Sequence, residues 1–144
     1  MIASVEMIKK KYSTLEGVDV KMKLPLIIDS KVTSLKSKQF FELIEKVFGD
    51  LKYLAIQEKK VRNGVGKLRG RKYKSNAGMI LIIGNNQEMK ISGVDVIKVK
   101  ELKLKHIAEN GARFTMLTEE AVKDLEARIA GENNNEKSKE NKKW

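Results

Sequence analysis

Cysteine is absent from the 144-residue chain, and histidine and proline each occur once, as His106 and Pro25. Without thiolates there is no disulfide scaffold, no catalytic cysteine and no thiolate zinc site, and one imidazole cannot form a histidine cluster. A reducing, cytoplasmic compartment is therefore expected. No apolar run approaches the roughly 20 residues that a bilayer span requires, and the N-terminus lacks the apolar core of a signal peptide. A soluble protein without a membrane partner follows as the expectation. Aromatic residues make up 6% of the chain, too few to advertise a base-reading sheet face. A chain of this length can bury about two thirds of its unfolded surface, so no metal or cofactor is needed to hold one domain together, and none is expected.

What is abundant is positive charge, and its placement is uneven. Thirty Lys and Arg against nineteen Asp and Glu give a net charge of +11 and a pI near 9.7. Residues 1–58 carry ten cations and eight acids, residues 75–130 carry eight of each, and residues 131–144 carry four and three. The window 59–74 holds Lys59, Lys60, Arg62, Lys67, Arg69, Arg71, Lys72 and Lys74 with no acid. A chain that is nearly balanced outside one basic segment points to that segment as the contact with a polyanion.

Hydrophobic periodicity alternates between helical and extended spacing. Ile2, Val5, Ile8 and Tyr12 predict a helix over 1–11, and Phe40, Phe41, Ile44, Val47 and Phe48 predict another over 37–48, closed by Gly49. Leu24–Asp29 reads as a strand entered near Pro25, and Tyr53–Ile56 reads as a short strand leading into the basic segment. Met79–Ile83, Val94–Val99 and Arg113–Leu117 read as strands, the last entered from the turn residues Asn110-Gly111. Thr118 stands at an N-cap position before Glu119, Glu120, Val122, Leu125 and Ile129. Strands apolar on both faces alternating with helices predict an α/β domain over 1–130 with a mostly parallel sheet. Gly131 is read as the end of the last helix, and residues 131–144, apolar only at Trp144, as a disordered polar tail.

Three functional readings compete for the segment Lys59–Lys74. A Walker loop requires two glycines with four residues between them, followed by Lys and Ser or Thr, whereas Gly64-Val65-Gly66-Lys67 runs into Leu68. A dinucleotide fingerprint fails on spacing, since Gly64, Gly66 and Gly70 are one residue too long and no periodic helix opens after them. A polynucleotide clamp fits: Gly64, Gly66 and Gly70 allow close backbone approach, the eight cations neutralise phosphates, and Tyr73 offers a face for stacking. Outside the segment, Asp29 stands at a strand end but without a partner, so it reads as a turn or cap residue. His106 reads as a packing or surface residue, and adjacent Glu119 and Glu120 do not face each other on a helix. No catalytic group emerges. A small nucleotide-using α/β enzyme and an RNA-binding regulator or processing factor remain as alternatives.

The run Gly64-Val65-Gly66-Lys67-Leu68-Arg69-Gly70-Arg71-Lys72-Tyr73-Lys74, followed by Gly78 and the apolar Met79–Ile83, resembles the signature of the archaeal and eukaryotic members of the large-subunit ribosomal protein L-four family. In the same order, Gly93-Val94-Asp95-Val96 resembles the family's strand entry, Gly111-Ala112-Arg113-Phe114 its approach to the last strand, and Thr118-Glu119 with Ala121 its helix start. Leu24–Asp29 and Met1–Lys11 resemble the family's preceding strand and helix. Ser92 in place of proline, Leu117 in place of tryptophan, Glu109-Asn110 in place of a Pro-Gly-like turn, and a short loop between Gly84 and Ser92 are departures outside the basic pattern. The resemblance covers about residues 1–130. It implies a three-layer, Rossmann-like domain without a nucleotide site, and a structural, non-enzymatic component of the large ribosomal subunit in the cytoplasm. Its partners would be large-subunit rRNA, neighbouring ribosomal proteins and a separate chain. Family members carry an additional N-terminal strand, helix and extended loop, so this chain reads as the C-terminal portion: a fragment, a reduced homologue or one product of a split gene, the separate chain being the partner in the last case. An incomplete sheet with an exposed edge, completed by that separate chain, is the corresponding expectation.

Overall fold

The computed structural model describes residues 5–12, 15, 24–108 and 113–140, with only the backbone of the last helix beyond residue 131. Among them the elements run α1 (Val5–Lys11), β1 (Leu26–Ile28), α2 (Ser37–Phe48), α3 (Lys52–Ala55), β2 (Lys59–Val61), β3 (Tyr73–Ser75), β4 (Ile80–Ile83), β5 (Asp95–Lys98), α4 (Leu104–Ala108), β6 (Thr115–Thr118) and α5 (Glu119–Glu140).

Four strands form a parallel sheet in the order β1-β6-β4-β5, and β2 with β3 forms a separate antiparallel pair. The central strand shows why the sheet is parallel and covered on both sides. All of Ile80–Ile83 is buried, and alternation sends Leu81 and Ile83 into one apolar cluster and Ile80 and Ile82 into another. The first cluster gathers Ile8 of α1, Phe40, Ile44 and Phe48 of α2, and Leu54 and Ala55 of α3. The second gathers Val99, Leu117 and Ala121, with Val122 and Leu125 of α5 packed against it. Helices therefore cover both faces, which is the α/β arrangement expected from sequence.

Phe114 joins the layers at the entry to β6: its ring lies 5.3 Å from Phe48 in an edge contact and 6.5 Å from Tyr12 in a stacked one. Burial raises the Tyr12 phenol above its usual range, partly offset by the positive charge of Arg113. At the other end of β6, Thr118 Oγ1 accepts the Ala121 N–H at 3.3 Å and donates to Gln87 Oε1 at 3.0 Å, so the N-cap read from sequence is formed.

Two expectations are corrected. Tyr53–Ile56 is not a strand: residues 52–55 form α3, with Leu54 and Ala55 buried and Tyr53 exposed, a burial order that a four-residue apolar run does not reveal. Gly131 does not end the last helix, which continues to Glu140, so the segment expected as a polar tail begins inside α5. An internal glycine costs a helix only about 1 kcal/mol relative to alanine, and Gly131 lacks the positive φ of a helix-ending glycine. The basic segment, for which the sequence predicts no secondary structure, is organised by the β2–β3 pair. Ile2, the Asn110-Gly111 turn and Trp144 lie outside the described residues.

Candidate nucleic-acid interface

The basic segment is an exposed hairpin. Lys59 pairs with Ser75, Lys60 with Lys74 and Val61 with Tyr73, and the Arg62 N–H donates to Lys72 O at 2.8 Å, extending the ladder by one step. Side chains alternate across such a ladder, so Lys60, Arg62, Lys72 and Lys74 belong to one face and Lys59, Val61, Tyr73 and Ser75 to the other. The tip closes with a single 3-10 turn over Val65–Lys67, the Arg71 N–H donating to Gly66 O at 3.1 Å, and Arg62 Nε donating to Arg71 O at 3.2 Å. Gly64 has φ 78° and ψ −164°, a backbone region open essentially to glycine alone. Gly66 lies where a Cβ would come within 2.8 Å of Arg62 Cδ. Gly70 also has positive φ.

Every residue of 59–74 is exposed except the half-buried Gly66, including Leu68 at 81% and Tyr73 at 56%. No core stabilises this ribbon, and an isolated two-stranded hairpin is marginal in water. Its electrostatics are also unfavourable, because like charges directly opposite each other, as at Lys60 and Lys74, destabilise a ladder. Among the described residues Glu58 relieves this in part, its carboxylate lying 3.2 Å from the Lys60 ammonium. Lys72 Nζ lies 5.5 Å from the centre of the Tyr73 ring. The arrangement is a rigidly rooted, positively charged ribbon whose repulsion a polyanion would relieve.

The rooting was not visible in the sequence. Asn76 Nδ2 donates to Tyr53 O at 3.0 Å and Ile56 O at 2.9 Å while its Oδ1 accepts the Glu58 N–H at 2.9 Å, so one amide ties both hairpin strands to α3. Gln57 Nε2 donates to Ala77 O at 2.9 Å, and the Met79 N–H donates to Ala55 O at 2.7 Å. Beneath them lies Arg113, 2% exposed. Its guanidinium donates to Ala77 O at 2.5 Å, Met79 O at 3.2 Å, Gly78 O at 3.3 Å and Asp95 Oδ2 at 2.6 Å. A buried arginine is acceptable only with such a full set of acceptors, and here three carbonyls of the backbone turn leading from hairpin to β4 are joined by the Asp95 carboxylate. The sequence signal was a charged residue opening an otherwise apolar strand.

The competing sites take structural roles. The glycines of 64–70 sit at a hairpin tip and not between a strand and a helix, so neither nucleotide-loop geometry is present. Outside the carboxyl ends of β4 and β6, where α/β domains place ligands, protein groups fill the space. Gln87 Oε1 accepts from the Gly84 N–H and Thr118 Oγ1, Asp124 Oδ2 accepts from the Asn85 N–H at 2.7 Å, and a Cβ on Gly84 would lie 3.0 Å from Glu120 Cβ. Asp29 caps a 3-10 turn over Ser30–Ser34, and the Lys31 N–H it accepts holds its carboxyl below the usual range. His106 Nδ1 accepts the Lys103 N–H at 3.2 Å. Among the described residues no three His, Cys, Asp or Glu side chains gather as a metal site, and no helix is long and apolar enough to cross a membrane.

No family model matches the chain. Curated proteins do. The large ribosomal subunit protein uL4 of Methanocaldococcus jannaschii is 33% identical over 136 residues, 88% of this chain and 52% of its own length. The proteins of the same name from Saccharolobus islandicus and Sulfurisphaera tokodaii are 32% identical over 118 residues and 34% identical over 119, covering 74% and 75% of this chain. The matched portion of the chain belongs to the uL4 family. The chain spans about half the length of the curated uL4 relatives it matches. The segments that resemble uL4 form one continuous path through the fold: the hairpin, the turn at Gly78, β4, the entry to β5, and the Arg113-Phe114 entry to β6. One departure is accommodated by packing, since Leu117 is buried with Ile80 and Ile82 beneath α5.

Proposed function

We propose that the chain is a structural, non-enzymatic constituent of the large ribosomal subunit and docks on large-subunit rRNA through the hairpin Lys59–Lys74. The observation that carries this reading is the hairpin itself, eight cations on an exposed, glycine-closed ribbon that is held at its root by hydrogen bonds and lacks a core of its own. The name shared by the uL4 relatives supports the ribosomal assignment.

In this mechanism Lys59, Lys60, Lys67, Lys72 and Lys74 neutralise phosphates, while Arg62, Arg69 and Arg71 add planar, multi-donor contacts. Gly64, Gly66 and Gly70 let the backbone approach the sugar-phosphate chain, and Tyr73 packs on the RNA surface. The α/β body fixes the orientation of the ribbon, so recognition depends on the shape and backbone of the RNA. Neighbouring large-subunit proteins are further partners in this reading. The 61% exposure of Ile27 on β1, which among the described residues pairs with β6 alone, supports a protein contact at that sheet edge.

Replacing both Arg69 and Arg71 with Ala tests the hairpin directly. Titration of the chain into large-subunit rRNA between about 50 and 200 mM salt should show weaker binding and a log–log salt slope shallower by about one for each phosphate left unneutralised. Unchanged affinity and slope would remove the hairpin from this role.

A further inference from the structure

Beside the hairpin root is a cleft of about 310 Å³ for which phosphate neutralisation provides no use. Tyr53 and Leu54 of α3 form one wall, and Glu58, Lys60, Lys74 and Ser75 form the other. Its volume stands at the lower end of the roughly 300–1,000 Å³ typical of small-ligand sites. Tyr53 is half exposed while its neighbours Leu54 and Ala55 are buried, so α3 holds an aromatic ring at the surface that the core does not require. Asn76 also lines the cleft, but its amide is committed to Tyr53 O, Ile56 O and the Glu58 N–H. It fixes the distance between the two walls. The directly opposed Lys60 and Lys74 stand on the hairpin side, with the Glu58 carboxylate balancing one of them.

We propose that this cleft receives one unpaired base of the bound RNA, stacked on Tyr53, with the phosphates on either side of that nucleotide held by Lys60 and Lys74. The proposal rests on the hairpin being an RNA-binding element and adds a preference to it. Every base presents a π face, so stacking on Tyr53 tolerates any sequence, whereas a base within an uninterrupted duplex has both faces covered by its neighbours. Two ammonium groups on facing strands suit the backbone of an extruded nucleotide, which enters and leaves at closely spaced phosphates. The charge pair that weakens the free hairpin becomes favourable once those phosphates lie between its members.

The test uses the full chain and two RNAs: a fully paired duplex, and the same duplex carrying one extrahelical 2-aminopurine. The bulged RNA should bind about tenfold tighter, and its 2-aminopurine fluorescence should change on binding as the base stacks. Tyr53→Leu, which retains apolar cover over Leu54, should abolish both the preference and the fluorescence change while leaving affinity for the paired duplex unchanged. Tyr53→Phe should retain all three. Equal affinity for the two RNAs, with the 2-aminopurine signal insensitive to Tyr53, would overturn the cleft and leave the hairpin reading standing. Absence of salt-dependent binding to either RNA would overturn both.

Discussion

Arg113→Leu should lower the stability of the folded chain by about 3 kcal/mol, a drop in melting temperature of roughly 10 °C for a domain of this size. The guanidinium serves the carbonyls of Ala77, Gly78 and Met79 and the Asp95 carboxylate from a position that is 2% exposed. Leucine fills part of the volume but donates nothing, so the buried Gly78 and Met79 carbonyl oxygens lose the guanidinium, while Ala77 O keeps its bond from Gln57 Nε2. Breaking a fully buried ion pair costs about 3–5 kcal/mol, but the Asp95 side chain is 42% exposed and can regain water, which moderates the loss. Lysine at this position would bring one ammonium in place of a fork and recover only part of it. The loss should be local as well as global. Hydrogen exchange should accelerate at Met79 and Glu58, whose N–H groups bond Ala55 O and Asn76 Oδ1 at the hairpin root, before it accelerates in β4. A variant that melts within about 2 °C of the parent would show that the root does not depend on Arg113.

Excising the hairpin tip should have the opposite signature, a large effect on binding and a small one on folding. Joining Val61 to Tyr73, which face each other across the ladder, through an Asn-Gly turn removes Arg62, Lys67, Arg69, Arg71 and Lys72 together. No residue of 62–72 belongs to either apolar cluster, so the melting temperature should change little. Removal of the Lys72 charge and of the strained Gly64 conformation works in favour of the shortened hairpin. RNA affinity at moderate salt should fall at least about a hundredfold, with the salt slope shallower by about four to five, because each phosphate that no longer meets a cation removes nearly one counterion from the exchange. Retained affinity would place the RNA-binding surface on the α/β body.

The two effects separate because sequence patterns of two kinds build this protein. Elements that bury a face were legible. Phe40, Ile44 and Phe48 mark the inward stripe of α2, the run through Ile80–Ile83 marks a strand covered on both sides, and Thr118 marks the start of α5. The cationic segment was legible as a charge anomaly, and its glycines as turn formers. Its hairpin pairing was not, since Lys59–Val61 and Tyr73–Ser75 bury nothing and show no alternation of apolar and polar residues. The helical turn that carries Tyr53 is not legible, because four residues cannot distinguish a period of 2 from one of 3.6. The root was hidden for a different reason. Asn76 bonds backbone 18 to 23 residues away and Arg113 bonds backbone 34 to 36 residues away, and side-chain to main-chain bonds at such separations leave no local periodicity.

The most direct test of the ribosomal role is sedimentation of large subunits from cells expressing either the intact chain or the form lacking residues 62–72. The intact chain should travel with the large subunit in stoichiometric amount and survive a high-salt wash, while the excised form, folded by its melting curve, should be released or fail to join. Release of the intact chain at modest salt, or absence from the large subunit altogether, would contradict a structural ribosomal role and favour an RNA-binding regulator outside the ribosome.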